Sequence, residues 1–166
     1  LLARGHRTIA FAGMDPDKTS IAKRCEGLRF GLQQHGVRLP ERDIHRGVSS
    51  EESGREIALG MVSRGDLPTA IVCANDLVAM GVMMQLLENG IRVPAQVSVM
   101  GVGNLRFAHA LPVALTTVSQ SPRDIGAGAF DGALAQMRGS CLAAREVFVE
   151  AKIEERQSVS VLPCAP

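Results

Sequence analysis

The sequence predicts an α/β fold in which a parallel sheet carries helices on both faces. Short apolar runs alternate with helical patterns from Thr8 to Gly101. The segments between the runs are too long for hairpins, so the strands are parallel and their crossovers right-handed. With 166 residues and 46% hydrophobic composition, the chain is large enough for one core rather than two.

The first unit is a buried strand followed by a helix. Residues 8–13 form a short apolar run typical of a buried strand. Residues 20–34 place apolar side chains at helical spacing, and Gly36 stops the pattern. Before this unit, residues 1–5 resemble the last turn of a helix ending at Gly5, which is typical of a piece of a longer protein.

Three more strands and two more helices continue the alternation. Ser50-x-x-Ser53 is typical of a helix start, and Asp76 is suited to cap the helix that follows it. The predicted elements are a strand at 43–48, a helix at 50–65, a strand at 70–74, a helix at 77–90 and a strand at 97–101. Because ligands bind beyond the carboxyl ends of strands in such sheets, we expect a site there.

The pattern changes after Pro112. Residues 115–118 form a short extended piece, and Pro122 begins a helix that runs to Arg138 and ends at Gly139-Ser140. One face of this helix is apolar, with Ile125, Ala129, Phe130, Ala133, Leu134 and Met137. Residues 147–149 and 152–158 are predicted as short strands, the second at a sheet edge, and residues 162–166 as a loose tail.

Charge and composition argue against several classes of function. The 18 basic and 17 acidic residues give a net charge of +1, which offers no basis for direct binding to a phosphate backbone. Tyr and Trp are absent and only five Phe occur, which disfavours a stacking platform for single-stranded nucleic acid. No stretch approaches the ~20 apolar residues of a membrane span, and the opening residues lack the pattern of a secretion signal. We expect a cytoplasmic protein with no membrane partner.

The chemistry-bearing residues predict neither an enzyme nor a metal site. No C-x-x-C pair is present, so the cysteines are interpreted as reduced thiols, and the histidines lack metal-ligand spacing. These residues are Cys25, Cys73, Cys141, Cys164, His6, His35, His45 and His109. No G-x-S-x-G motif occurs, and Arg106 stands at the third glycine position of a dinucleotide fingerprint beginning at Gly101. We expect no catalysis, no cofactor and no metal.

Several segments match one known pattern in order and with similar gaps. The longest is Thr69–Gly81, followed by Gly90–Pro94 and Val97–Gly101. Further segments are Gly5–Ala10, Arg24–Gly27, Leu115–Val118, Gln120, Ile125–Gly126 and Glu155–Ser158. In these segments, which span essentially Leu1 to Val159, the chain resembles the lactose-repressor (LacI/GalR) family of transcription regulators.

This resemblance implies two α/β lobes that close on a ligand, as in periplasmic sugar-binding proteins. Residues 1–117 would form the C-terminal lobe, 118–145 a crossover with a helix of the N-terminal lobe, and 146–166 the returning strands and tail. Most of the N-terminal lobe and the DNA-binding head would lie outside this sequence. The apolar face of helix 122–138 would then lack its normal partner, so we expect it to pack elsewhere or to exchange between chains.

The resemblance also implies which residues contact a small effector. Arg24 matches the family arginine that reaches the effector, and its planar guanidinium suits two oxygens of a carboxylate or diol. Lys18 and Ser20 stand where family members place ligand contacts, although Ser20 is alternatively a helix cap. Gln120, at the crossing between lobes, resembles another pocket position.

Two neighbouring residues complete this side of the expected pocket. The amide of Asn75, at the end of a strand, can donate to a ligand oxygen and accept from a hydroxyl. Asp76 is either a second contact or only the cap of its helix.

Gly103 is where the sequence departs from the sugar- and purine-binding members, which commonly carry an aspartate there. Without that carboxylate, Lys18 and Arg24 would attract an anion, and the Gly-x-Gly variant resembles the gluconate-operon repressor branch. With Asn104 beside it, this position favours a sugar acid such as gluconate over a neutral sugar. The alternative is that Gly103 serves a turn with positive φ.

The helix after Asn75 carries more Met and Leu than one buried face needs. The corresponding family helix forms a dimer interface, whereas Met83 and Leu87 are alternatively ordinary core residues. The expected interface residues are Met80, Met84, Leu105, Phe107 and His109.

Together these features predict a ligand-responsive transcription regulator, a repressor by resemblance. A homodimer would bind operator DNA only through the head outside this sequence, and a small effector would change the angle between lobes. The alternative is a periplasmic-type sugar-binding transport receptor, which shares the fold. An NAD-dependent enzyme is a third class that the glycine pattern does not support.

Overall fold

The computed structural model describes residues 1–138 and 147–162, and these are built around one six-stranded sheet. The strands are β1 (Ile9–Met14), β2 (Ile44–Arg46), β3 (Ala70–Cys73), β4 (Ser98–Val102), β5 (Thr116–Ser119) and β6 (Lys152–Glu154). The helices are α1 (Thr19–Gln33), α2 (Glu51–Arg64), α3 (Asp76–Glu88) and α4 (Pro122–Met137), and short 3-10 turns cover Leu2–Arg4 and Glu41–Asp43. Each predicted helix is present.

The sheet has the strand order β2-β1-β3-β4-β5-β6. The first five strands run parallel, with Ile9 opposite Ala70 and Met100 opposite Thr116. The last strand, β6, pairs antiparallel with β5 and forms one edge. The prediction of an α/β fold with a parallel sheet is therefore confirmed, as is the edge position of the returning strand.

The core has two layers, one on each face of the sheet. Helices α2 and α3 cover one face with a cluster centred on the fully buried Met61, Ile71 and Met83. Helix α1 covers part of the other face, where Ile21 and Leu32 pack against Phe11. The parallel strands are apolar on both faces, as in sheets that carry helices on both sides.

Helices α2 and α3 pack closely because glycines lie at their contact. A Cβ at Gly81 would overlap the backbone oxygen of Glu51, and a Cβ at Gly54 would overlap that of Val78. Such close approach of two backbones is possible only where a side chain is absent. The pair thereby aligns the start of α3 with the carboxyl end of β3.

The helix starts follow the sequence prediction in one case and depart from it in two. Ser50 caps α2, accepting from the amide of Ser53 at 3.2 Å. Helix α3 is capped by Asn75, which accepts from the amide of Val78 at 3.0 Å. The prediction that Asp76 is the cap is therefore wrong, because the helix already includes it. Ser20 is not a cap either, since α1 begins at Thr19 and its cap position is Lys18, without a side-chain hydrogen bond.

The chain after α4 differs from the predicted pair of strands. Val147–Val149 form no strand, and the side chain of Phe148 is 89% exposed. The second strand ends at Glu154, earlier than predicted, because the residues after it no longer pair with β5. The amide of Ser158 donates to the carbonyl of Ala114, and its carbonyl accepts from the amide of Val99. The amide of Leu162 donates to the carbonyl of Arg4 at 2.8 Å, so this first tail residue is anchored.

Some predictions fall outside the described residues. These are the helix stop at Gly139-Ser140, the thiols of Cys141 and Cys164, and the tail from Pro163 to Pro166. The other two cysteines, Cys25 and Cys73, are free and buried.

Helix α4 contributes nothing to the described core. None of its residues is buried, and Phe130 and Met137 are 67% and 85% exposed. The helix follows β5 after only Gln120 and Ser121, the latter with a positive φ of 48°. Within the described residues no side chain of α4 is buried, which leaves its apolar side in solvent, and the expectation that the helix packs elsewhere or exchanges between chains stays a prediction.

Candidate functional site

The carboxyl ends of β1, β3, β4 and β5 meet at one edge of the sheet because these strands are parallel. This arrangement is the usual position of ligand sites in open α/β sheets. Asp15, Gly103 and Gln120 directly follow β1, β4 and β5, and Asn75 follows β3 after Ala74. Three of these four are residues that the sequence predicted as effector contacts.

Arg24 joins two of these strand ends. It lies on α1 and donates one guanidinium N–H to the carbonyl of Ala74 at 2.6 Å and another to Oε1 of Gln120 at 3.0 Å. These two bonds hold the guanidinium plane in place, while its remaining N–H groups stay available as donors. Arg24 and Gln120, two predicted contacts, are thus in direct contact with each other.

The start of α1 adds a lysine and a carboxylate. The ammonium of Lys18 lies 3.6 Å from Oδ2 of Asp15, whose side chain is only 14% exposed. Oδ1 of Asp15 accepts from the amide of Asp17 at 3.2 Å. Asp15 was not among the predicted contacts, although its position after the first strand was the available signal. Ser20 is exposed and, in the described part of the chain, no side-chain hydrogen bond joins it to the other candidates.

Asn75 presents its amide at the end of β3. Its Oδ1 is used to cap α3, accepting from Val78. Among the described residues its Nδ2 group has no acceptor and can donate to a ligand, whereas acceptance from a ligand hydroxyl by Oδ1 would compete with the cap. Capping fixes the side chain, which orients that donor.

Asp76 is fully buried beneath the strand ends. Oδ1 accepts from the hydroxyl of Thr117 at 2.6 Å, and Oδ2 accepts from the amide of Leu105 at 2.7 Å. The carboxylate lies at the N-terminus of α3, where the helix dipole favours a negative charge. Both oxygens are engaged by the protein, so Asp76 acts on the site through the segments it holds.

Gly103 and Asn104 form a turn with positive φ after β4, with φ of 137° and 54°. A side chain at Gly103 would be strained at that φ, which gives the glycine a conformational reason that is independent of any ligand. Nearby, a Cβ at Gly101 would overlap the Asp76 carboxylate. The Oδ1 atom of Asn104 accepts from a guanidinium N–H of Arg156 at 2.7 Å.

Thr117 and Arg156 complete the hydrogen bonds of this edge, and the sequence analysis did not single them out. Thr117 stands in a short strand, and Arg156 belongs to the returning segment. Neither residue has a local pattern that identifies its partners, because those partners are tens of positions away along the chain.

Cysteine chemistry is suppressed next to the site. Burial raises the pKa of the Cys73 thiol well above its usual range, and the nearby Asp76 charge raises it further. Burial also raises the pKa of Cys25 on α1. Thiols that remain protonated are poor nucleophiles and poor metal ligands. Within residues 1–138 and 147–162, no group of three His, Cys, Asp or Glu side chains is placed to hold a metal.

A cavity of about 580 Å³ opens on the face of the sheet that α1 covers. Its polar lining includes Arg24, His35 and Gln120, but most of it is apolar. The sheet contributes Ile9, Phe11, Val72, Met100, Val102 and Val118. The polar groups suited to a hydroxylated ligand therefore lie at the strand ends rather than along the cavity floor.

The predicted interface residues lie at the surface of α3 and of the segment after β4. Met80 and Met84 are partly exposed, whereas Met83 between them is fully buried in the core. Leu105 is 41% exposed, Phe107 is partly exposed and His109 is exposed. Met83 is thus a core residue, which was the alternative for that position. In the part of the chain that the structure describes, no helix is long and apolar enough to cross a membrane.

Sequence comparison connects this chain to one domain family. The profile of the periplasmic binding protein-like domain matches residues 1–159. The chain is 31% identical over 160 residues to the HTH-type transcriptional repressor PurR of Salmonella arizonae, covering 96% of this chain and 47% of the relative. It is 32% identical over 162 residues to PurR of Vibrio atlanticus, covering 98% and 48%. The chain therefore spans about half the length of these curated relatives.

Comparison with solved structures also finds transcription regulators that are similar to this chain. The lac repressor dimer bound to operator and the anti-inducer ONPF superimposes with a TM-score of 0.89 and 28% identity, over 96% of this chain and 55% of that one. A sugar-binding LacI-family regulator from Escherichia coli, complexed with phosphate, has a TM-score of 0.87 and 30% identity, over 97% and 58%.

Proposed function

Because the chain belongs to the periplasmic binding protein-like domain family, we propose that it is part of the effector-binding core of a LacI-type transcriptional repressor. The observation that carries this proposal is Arg24, which is held between the carbonyl of Ala74 and the side chain of Gln120 at the carboxyl ends of the strands. A cation fixed at that place is suited to bind a small polar ligand. As a transcription regulator, the complete protein would act in the cytoplasm.

In this proposal residues 1–117 are the C-terminal lobe of the core. Residues 118–145 cross to the N-terminal lobe and supply one of its helices, and residues 146–166 return as strands and tail. The exposed apolar side of α4, with Phe130 and Met137, supports this division, since a helix of that character needs a partner. The strands β5 and β6, which pair side by side, would carry two of the crossings.

The proposed effector is a sugar acid, with gluconate as the representative. Arg24 and Lys18 supply two positive charges, and Asn75 supplies an amide donor. Two carboxylates, Asp15 and Asp17, precede α1, and Asp15 lies 3.6 Å from the ammonium of Lys18. The argument from Gly103 is weaker than the sequence alone made it, because the φ of 137° explains the glycine without a ligand.

The proposed mechanism is a two-state switch without bond making or breaking. An effector between the lobes favours one interlobe angle and so changes how a homodimer presents its DNA-binding heads to an operator. Met80 and Met84 on α3, together with Leu105, Phe107 and His109, would form the subunit contact. Their partial or full exposure on one chain is what such a contact requires.

The experiment measures the binding of the complete regulator to operator DNA by fluorescence anisotropy. Gluconate and related sugar acids are titrated beside matched neutral sugars. We expect acids alone to change operator affinity, and Arg24→Ala to weaken the response. Arg42→Ala is the matched control, because the Arg42 side chain is 82% exposed and, among the described residues, its one ion pair is with Asp43.

Two outcomes would contradict parts of this proposal. A response to neutral sugars alone would overturn the sugar-acid effector and leave the regulator in place. The absence of specific DNA binding would favour a sugar-binding transport receptor, which shares the domain family.

A further inference from the structure

The turn after β4, Gly103–Leu105, donates backbone hydrogen bonds to two other parts of the chain, β5 and the start of α3. The amide of Gly103 donates to the carbonyl of Val118, and the amide of Asn104 lies 3.3 Å from the Thr117 hydroxyl. The amide of Leu105 donates to Asp76. Gly103 and Asn104 both have positive φ, which these two residue types tolerate, and the hydrogen bonds fix the turn in this one form.

Arg156 holds the same turn from the returning segment. It lies two residues after β6 and donates to Oδ1 of Asn104 at 2.7 Å and to the carbonyl of Leu115 at 2.7 Å. Its own amide donates to the Thr116 hydroxyl at 2.9 Å. The side chain therefore reaches past β5 and connects the β6 side of the sheet directly to the end of β4. Among the described residues, no carboxylate lies within ion-pair distance of Arg156, so its contacts are hydrogen bonds to neutral oxygens.

The other side of the turn is connected to the ligand edge. Asp76, which accepts from Leu105, is the neighbour of Asn75 at the start of α3. The turn thus contacts the start of α3, which lies beside the proposed effector, and Arg156, which follows β6. The last residue of the turn, Leu105, is 41% exposed, and the exposed Arg106 follows it.

We infer that Arg156 is a positioning residue, which couples the paired strands β5 and β6 to the Gly103–Leu105 turn and so to the exposed Leu105 surface. The inference rests on the proposed function, in which β5 and β6 carry crossings between lobes and Leu105 belongs to the subunit contact. The long, planar guanidinium is suited to the role because it bonds the backbone of β5 and the turn at the same time. A lysine would offer a single ammonium and could not hold both acceptors in one plane.

The first test uses the complete regulator and measures two quantities for each variant. Effector affinity is measured by calorimetry, and the effector response is the ratio of operator affinities with and without saturating gluconate. We expect Arg156→Gln and Arg156→Lys to reduce that ratio at least about tenfold while effector affinity stays within about threefold, since coupling between sites is separable from binding. Arg42→Gln is the matched control and is expected to keep both quantities.

The second test uses the 166-residue chain and needs no effector. Hydrogen exchange of the amides of Gly103, Asn104 and Leu105 is expected to rise at least about tenfold in Arg156→Gln, with the amides of β1 and β3 unchanged, because the turn loses one of its holders. Equal acceleration across the whole sheet would mean general destabilisation and would overturn the positioning role.

The outcomes separate this inference from the proposed function. A wild-type regulator that responds to effector, with Arg156→Gln responding equally, overturns the inference alone. A wild-type regulator that responds to no effector overturns the proposed function and the transmission to the subunit contact, and hydrogen exchange then decides whether Arg156 holds the turn.

Discussion

The carboxylate of Asp76 accepts a hydrogen bond of 2.6 Å from the hydroxyl of Thr117, a residue 41 positions later in the chain. The pair is fully buried and joins the start of α3 to β5, across β4. With the Leu105 amide on its other oxygen, Asp76 fixes the relative position of three strand ends.

Removing the Thr117 hydroxyl is expected to destabilise the fold measurably. Thr117→Val keeps the shape but leaves a buried carboxylate oxygen without a donor, which costs about 2 kcal/mol for a bond to a charged group. The measurement is the free energy of unfolding in urea. A double-mutant cycle with Asp76→Asn isolates the pair, and a loss below about 0.5 kcal/mol in Thr117→Val would contradict the assigned bond.

Two glycine substitutions are expected to have opposite effects on stability. Gly101→Ala places a Cβ against the Asp76 carboxylate, and we expect a loss of at least about 2 kcal/mol because such overpacking displaces buried groups. Gly31→Ala on α1 meets no neighbouring atom and should gain about 0.5 to 1 kcal/mol from helix propensity. Urea unfolding of both variants checks the contrast, and equal effects would argue against the close approach at Gly101.

Introducing a carboxylate beside Arg24 is expected to weaken acid binding by the complete regulator. Gln120→Glu would pair with the guanidinium that Gln120 now contacts, and we expect sugar-acid affinity to fall about tenfold or more, since the added charge repels the ligand and neutralises its partner. Gln120→Ala is the control for the lost amide. Calorimetry in which both variants lose affinity equally would show that the charge at this position does not matter.

Stability is expected to fall at mildly acidic pH because of two histidines, the buried His6 and the half-buried His45. Burial lowers the pKa of His6 from its ordinary value of 6.5, and the neighbouring Arg4 lowers it further, while the hydrogen bond with the Ser160 carbonyl opposes the shift. Burial likewise lowers the pKa of His45, followed by the charge of Arg64. The unfolded chain then binds protons more readily than the folded one. The contribution of these histidines to the free energy of unfolding is therefore fully present above pH 6.5. It is lost as the pH falls from 6.5 through the lowered pKa values of the folded state.

The check is urea unfolding across that pH window. His6→Gln should be less stable than wild type at neutral pH, because its ring contacts Thr69 and Ser160 at 3.1 Å each. On acidification, His6→Gln should nevertheless lose less stability than wild type, and the double variant His6→Gln/His45→Gln should lose the least of the three. An unchanged slope in both variants would contradict the assigned pKa directions.

The exposed side of α4 is expected to promote self-association of the 166-residue chain. Phe130 is 67% exposed, so Phe130→Asp should reduce association while changing the free energy of unfolding by less than about 0.5 kcal/mol, as is usual for surface positions. Sedimentation velocity and urea unfolding measure the two quantities. A large loss of stability in Phe130→Asp would mean that α4 packs against the core in solution.

The sequence identified elements where a local pattern was sufficient. The apolar run at Ala70–Cys73 and the Ser50 cap depend on neighbours within a few residues, and both predictions are confirmed. The assignment of the α3 cap to Asp76 was wrong because Asn75 and Asp76 are equally good cap residues in isolation. The choice between them follows from Thr117 and Leu105, which take the Asp76 carboxylate and leave Asn75 to the helix.

The same distinction applies to the candidate site. By itself the sequence determined the α/β class, the order of strands and helices, and the family resemblance that selected Arg24, because periodicity and motif are local properties of the chain. Only the tertiary structure decided that Arg24 meets Gln120, that Gly103 has a φ of 137°, and that Arg156 reaches Asn104. These contacts join residues that are 96 and 52 positions apart. Such pairs exist only after the sheet has aligned its strand ends.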